Sequence, residues 1–197
     1  MDNIEELIER IRLEVKASVK EKRYEHSVRV AETSRYMCTL YGLDPDLGYL
    51  AGIAHDLCKS CEDEEFLALA AMDGSPITEV EKFKPSLLHG RAAAVRLRRD
   101  FGVTDEDVIQ AVACHTLGGT DLCDLAKIVY AADKIEPGRP QSTDEYRSRL
   151  FAMSLNRLLL SVVEENIEYL KGKGKKIAPS SMDFRQSLLD SIAKEGK

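Results

Sequence analysis

Apolar residues recur at helical spacing along almost the whole chain. Ile4, Ile8, Ile11, Val15 and Val19 are separated by steps of 4, 3, 4 and 4, which lays one apolar stripe along a first helix. A second helix is expected from Tyr24 to Tyr41, stopped by Gly42, because glycine adopts the left-handed cap conformation without a Cβ penalty. Asp44 then reads as a cap and Pro45 as the opening of a third helix, which carries Leu47, Leu50, Ala51 and Ala54 toward His55 and Asp56. Ser60 with Asp63 has capping-box spacing for a short helix through Phe66, Leu69 and Ala70 that fails near Gly74. The stretch from Asp73 to Pro85 reads as irregular.

Further along, Leu88 to Phe101 is expected to be helical and closed by Gly102, and Thr104 with Asp107 to open a helix ending at His115. Gly118-Gly119 marks a turn. The next stripe is Leu122, Ala126, Val129 and Asp133, ending by Pro137-Gly138. Ser142 and Glu145 frame a long amphipathic helix through Leu150, Leu155, Leu158, Leu159, Val162, Val163 and Ile167, whose apolar face is either core or the face of a homodimer. Lys171 to Lys176 forms a basic loop, and Ser181 caps a last helix through Leu188, Leu189 and Ile192. There is no period-2 strand, repeat or linker, so the fold class is all-α, with residues 1–197 as one domain.

Composition narrows the class of partner. The 197 residues are 44% hydrophobic and 31% charged, with only 12 Gly and 6 Pro, which excludes a collagenous, low-complexity or disordered chain. The net charge of −6 lacks the broad positive field that nucleic acid or an anionic membrane would need. No apolar run approaches the roughly 20 residues that cross a bilayer. The acidic start is unlike a signal peptide, and five scattered cysteines do not make a disulfide framework, so reduced thiols and a cytoplasmic location are expected.

The chemistry lies in the histidines. All four (His26, His55, His89 and His115) fall within or at the end of an expected helix. Asp133 sits on an apolar stripe, where an unpaired carboxylate is costly to bury and wants a cation, be it a metal or a Lys or Arg. Consecutive helical residues diverge by about 100°, so His55 and Asp56 can meet one metal only near a helix end, with the second Asp56 oxygen left for another. Imidazole and carboxylate without thiolate suit Fe, Mn, Co or Zn. Two such ions sharing a hydroxide make a hydrolytic centre for phosphoesters and phosphoanhydrides.

Taken together, the strings Arg23-Tyr24-Glu25-His26-Ser27, Ala54-His55-Asp56-Leu57-Cys58-Lys59, Leu88-His89-Gly90, His115-Thr116 and Asp133-Lys134-Ile135-Glu136-Pro137-Gly138-Arg139 resemble the HD-domain metal-dependent phosphohydrolases, and within them the YqeK family. The resemblance covers a motif-bearing core of about residues 20–170, with the basic loop and helix of 171–197 beyond it. It implies a helical HD-domain bundle that hydrolyses diadenosine tetraphosphate symmetrically to two ADP at a di-metal centre, iron foremost.

Position by position, the resemblance implies a first metal on His26, His55, Asp56 and Asp133, and a second on His89, His115 and the shared Asp56. Lys59 and Arg139 are expected near phosphate oxygens, with Arg23 and Thr116 as further substrate contacts, although Lys59 is equally placed for an i, i+3 ion pair with Asp56. The sequence departs from the family at Thr116-Leu117-Gly118-Gly119 and Pro140-Gln141-Ser142, which bears on substrate preference. Two alternatives keep the fold: an HD hydrolase of another nucleotide (a nucleoside phosphate, a dNTP or a guanosine alarmone), and a non-catalytic metal-binding module. Cys58 and Cys61 have neither a second Cys pair for zinc nor a βαβ context for redox work.

Overall fold

The computed structural model describes residues 3–195, and among them there are eleven α-helices and no strand. Helix α1 (Ile4–Ser18) buries Ile8, Ile11 and Val15, the stripe expected from sequence. Helix α2 (Glu21–Tyr41) closes on Gly42 at φ 76°, and α3 (Pro45–Ala54) starts on Asp44, whose side chain accepts a hydrogen bond from the Asp46 amide. The connection is short, and α3 runs back along α2, with Gly48 against Ser34 and Gly52 against Ala31. Every residue of α3 from Gly48 to Ala54 is buried, which makes it the central rod of the molecule.

Glycine sets how closely α2 and α3 approach. A Cβ at Gly48 would stand 2.9 Å from the Ser34 carbonyl oxygen, and one at Gly52 would stand 2.6 Å from the Ala31 Cα. Both collisions are with backbone, which a side-chain rotation cannot relieve. The rest of the core continues this theme with Ala92, Ala93, Ala94, Ala111, Ala126, Ala131 and Ala132, all buried. Small residues bring helix axes together, and that places side chains at their ends within reach of one another.

Helices α4 (Asp63–Ala70), α6 (His89–Phe101), α7 (Glu106–Cys114) and α8 (Asp124–Ile135) complete the half that holds the histidines. The 73–85 stretch is more ordered than expected: it holds a short α5 (Glu79–Phe83) with a complete Thr78–Glu81 capping box, followed by a 3-10 turn over Pro85–Leu88. Arg91 ties this stretch to α6 through Asp73, Ser75, Pro76 and Glu81. Capping signals elsewhere shift by one or two residues. Glu62 rather than Ser60 precedes α4, with no side-chain cap; Asp105 rather than Thr104 caps α7.

The long C-terminal helix is two helices, α9 (Asp144–Phe151) capped by Thr143 and α10 (Leu155–Gly172), with Ser154 extended between them. Ser142, expected as a cap, instead bonds the Ile135 carbonyl. The α10 stripe Leu158, Leu159, Val162, Val163 and Ile167 is core within this one chain. Helix α11 (Pro179–Glu195) starts before Ser181, whose hydroxyl donates to the Leu117 carbonyl at 2.8 Å. Phe184 packs edge-on to Tyr130 at 5.2 Å and fills the space over Gly118, where a Cβ would lie 2.3 Å from its ring. The last helix thus props the loop that follows His115.

Replacing Gly52 by Ala is expected to cost about 1–3 kcal/mol, the usual penalty of overpacking a rigid contact. Chemical unfolding with a lowered midpoint and unchanged slope checks it.

Candidate metal centre

The six expected ligands all come from helix ends or from turns beside them. His26 lies in the first turns of α2; His55 closes α3, with Asp56 in the turn behind it. His89 opens α6, His115 closes α7, and Asp133 is in the last turn of α8. Gly90 lets α6 approach the end of α7: a Cβ there would be 2.8 Å from the Val112 carbonyl oxygen and 3.0 Å from His115 Nδ1.

These side chains form one cluster with Asp56 at its middle, and the two Asp56 oxygens look opposite ways. Oδ2 is 3.3 Å from His55 Nε2 and 4.0 Å from His26 Nε2. Oδ1 is 3.1 Å from His89 Nε2 and 3.8 Å from His115 Nε2. Asp133 Oδ1 joins the first group, 3.0 Å from His26 Nε2 and 3.8 Å from His55 Nε2. Two sets of ligand atoms of metal-binding size result, His26–His55–Asp56 and Asp56–His89–His115, all buried.

The tautomers follow from the helix ends. The last carbonyls of a helix have no amide partner within it, and two of the rings supply one: His55 Nδ1 reaches Gly52 O at 2.7 Å and His115 Nδ1 reaches Val112 O at 2.7 Å. His89 Nδ1 does the same to Ser86 O at 2.7 Å, in the 3-10 turn before α6. In the fourth case His26 Nδ1 faces Glu136 Oε1 at 3.0 Å. A neutral ring that donates from Nδ1 presents a bare lone pair at Nε2.

That geometry fits a bound cation. The Nε2 atoms of His89 and His115 face each other at 2.9 Å, a repulsive approach for two lone pairs unless positive charge stands between or beside them. His55 Nε2 and Asp56 Oδ1 are buried without a well-aligned hydrogen bond. Buried polar atoms left in this condition cost free energy, and convergent ones are what a metal ion satisfies.

Charge in the cluster is mutually sustained. Burial alone would push the Asp56 pKa up, but His55, His89 and Lys59 hold it well below the usual carboxylate range. Burial likewise opposes ionisation of Asp133, and Lys134, His26, His55 and Arg139 reverse that. His115 is driven well below the ordinary imidazole value by burial, then by His89 and His55. On His55 burial works the same way, yet the Asp56 and Asp133 carboxylates outweigh it and raise the value.

The expected phosphate contacts stand around this cluster. Arg23 pairs with Asp56 Oδ2 at 3.0 Å and Arg139 with Asp133 Oδ1 at 2.6 Å. Lys59 makes the i, i+3 contact to Asp56 Oδ1 at 3.4 Å and also lies 2.9 Å from His89 Nε2. Thr116 Oγ1 is 3.3 Å from Nε2 of both His89 and His115. All five cysteines are free, and burial raises the Cys58 thiol to about 12, which keeps it protonated and inert.

A family model described as "HD domain" matches residues 23–138, the segment that supplies all six ligands. The chain belongs to the HD-domain family, in its YqeK branch. It is 33% identical over 177 residues to a symmetrical bis(5'-nucleosyl)-tetraphosphatase of Halalkalibacterium halodurans, covering 89% of this chain and 94% of that one. The protein of the same name from Bacillus subtilis is 32% identical over 168 residues, with 85% and 89% covered. A crystal structure described as a predicted HD superfamily hydrolase involved in NAD metabolism, from Clostridium acetobutylicum, superposes with a TM-score of 0.86 at 28% identity, covering 93% of this chain and 97% of that one.

Two residues of the quoted Asp133–Arg139 string gain a role only from the structure. Glu136 is buried; one oxygen faces His26 Nδ1, and the other takes Arg29 Nε at 2.6 Å and the Gly138 amide at 2.5 Å. Lys134 is half-buried over the Tyr130 ring and donates to the His115 carbonyl at 3.0 Å and Asp133 Oδ2 at 3.1 Å. Glu136 lies just past the end of α8 in extended backbone, so helical spacing from Asp133 gave no signal for it. Glu136→Ala is expected to lower metal affinity about 10- to 100-fold by freeing the His26 ring, with Glu136→Gln losing less because its amide oxygen still accepts from Nδ1. Metal titration, with circular dichroism to confirm retained helicity, checks this.

Proposed function

We propose that this protein is a metal-dependent hydrolase that splits diadenosine tetraphosphate symmetrically into two ADP. The observation that carries the reading is Asp56, whose two oxygens face two different pairs of histidines. It is supported by relatives that carry the name of that activity and match over most of their length. His26, His55, Asp56 and Asp133 would hold one divalent cation, and His89, His115 and Asp56 a second. A donor set of imidazole and carboxylate suits Fe, Mn, Co or Zn, and the family resemblance puts iron first. When bound, such cations supply Lewis acidity at phosphoryl oxygens and acidify the attacking water.

The chain's own groups account for the rest of the task. Arg23, Lys59 and Arg139 ring the cluster and would turn toward the non-bridging oxygens of the polyphosphate, where charge accumulates as the bridge breaks. Thr116 Oγ1, beside the Nε2 atoms of His89 and His115, would hold the polar end of substrate or water in register. ADP departs as a stable anion, so no dedicated general acid is required. Free thiols throughout support a reducing, cytoplasmic setting.

Anaerobic loading with Fe(II), Mn(II) or Co(II), followed by diadenosine tetraphosphate and separation of products, is expected to give two ADP. AMP plus ATP would contradict symmetric cleavage, and turnover only of a dNTP or guanosine alarmone would move the substrate elsewhere. Protein that holds two metals yet hydrolyses no nucleotide would be a binding module.

In the same assay His55→Ala and Asp133→Ala are expected to lose metal and activity together. The fall should exceed about 100-fold, the upper range for residues that only orient a ligand. Full activity in either variant would remove that residue from the centre.

A further inference from the structure

Two adjoining cavities lie along α2 beside the centre. The first, about 360 Å³, is lined by Lys20, Lys22, Arg23, Arg29 and Arg139 against a single carboxylate, Glu136. That carboxylate is already engaged by His26, Arg29 and the Gly138 amide. Of the five cations around this cavity, Arg23 is paired with Asp56, Arg29 with Glu136 and Arg139 with Asp133, which leaves Lys20 and Lys22 as its uncompensated positive charge. Lys20 and Lys22 are exposed and make no ion pair among the described residues, so nothing in the fold requires them there.

The second cavity, about 400 Å³, is lined by Tyr24, Val28 and Tyr49, with Arg12 and Glu25. Arg29 lines both, so the two cavities flank a single side chain. The two rings are held in place: Arg12 donates to the Tyr24 hydroxyl at 2.7 Å, and the Arg35 guanidinium covers Tyr49 at 4.3 Å. Around the helix the order is His26, then Arg29, then Glu25 and Val28, then Tyr24, so the apolar wall lies round the helix from the ligand, past Arg29 and Glu25.

Symmetric cleavage of a dinucleoside tetraphosphate leaves one nucleoside diphosphate on each side of the broken bridge. At least one half must therefore run from the cluster across neighbouring surface, meeting phosphate-binding cations first and a surface for its base next. We propose that the two cavities seat one ADP half of the substrate, with its phosphates on Lys20, Lys22 and Arg29 and its adenine against Tyr24, Val28 and Tyr49. Glu25, at the rim, accepts from a ribose hydroxyl or the exocyclic amine. This assignment rests on the dinucleotide reading above.

Calorimetric titration of the metal-loaded protein with ADP and with pyrophosphate tests the seat without relying on turnover. Lys20→Ala/Lys22→Ala is expected to weaken both ligands about tenfold, and to raise KM for diadenosine tetraphosphate more than it lowers kcat. Val28→Trp, which fills the apolar cavity, is expected to weaken ADP about tenfold and leave pyrophosphate unaffected; Val28→Phe carries the same expectation should the larger ring impair folding. Unchanged ADP affinity in the lysine variant or in the folded Val28 variant overturns the seat. If wild-type protein binds ADP as described but cleaves no dinucleoside tetraphosphate, the functional reading fails while the cavities stand as a nucleotide site. If it cleaves to two ADP and the variants bind ADP normally, only the seat fails.

Discussion

Four imidazoles and two carboxylates packed into one buried cluster create a demand for positive charge that shapes everything around them. Asp56 is almost without solvent contact and Asp133 is half-buried, and a carboxylate in such a position stays ionised only where cations or strong donors surround it. The chain answers with Lys59, Lys134, Arg23 and Arg139 at the edges of the cluster. These side chains neutralise the carboxylates from outside. They leave the lone pairs of the rings converging inward, which suits a divalent ion better than an ammonium or guanidinium group.

Convergence depends on backbone approach. Ligands from five helices meet only because glycine and alanine line the contacts between them: Gly48 and Gly52 where α3 crosses α2, Gly90 where α6 meets the end of α7. The same helix ends dictate ring orientation, since an otherwise unpaired carbonyl takes the Nδ1 proton and commits Nε2 to the centre. For His55 and His115, structure and chemistry are thus coupled through the C-terminal carbonyl of a helix. Beyond His115, the loop is braced by Ser181 and Phe184, so the C-terminal helix supports the centre from outside the matched segment.

Charge distribution separates this surface from the rest of the molecule. The chain as a whole is acidic, yet the face of α2 next to His26 is cationic and leads to an apolar hollow. A polyanion attached to flat hydrophobic bases has the complementary pattern, which an inorganic polyphosphate or a nucleic acid backbone lacks. Glu136 links the two regions: it orients His26 toward the centre and holds Arg29 at the boundary of both cavities.

By itself the sequence determined the helical class, most helix positions and the identity of the six converging side chains. Periodicity and end signals act over three or four residues, and the HD strings are local patterns of the same range. Errors fell where local signals were duplicated or weak. Ser60, Thr104 and Ser142 resemble caps, but neighbours took the role; the stripe from Leu150 to Ile167 runs on in register while the backbone breaks at Ser154. Only the tertiary structure decided that the Asp56 oxygens face opposite pairs, that Glu136 and Lys134 underlie the centre, and that the α10 stripe is core rather than a face between copies. Those facts depend on interhelical distances, which follow from the packing of many side chains distant in sequence and leave no trace in any short stretch of the chain.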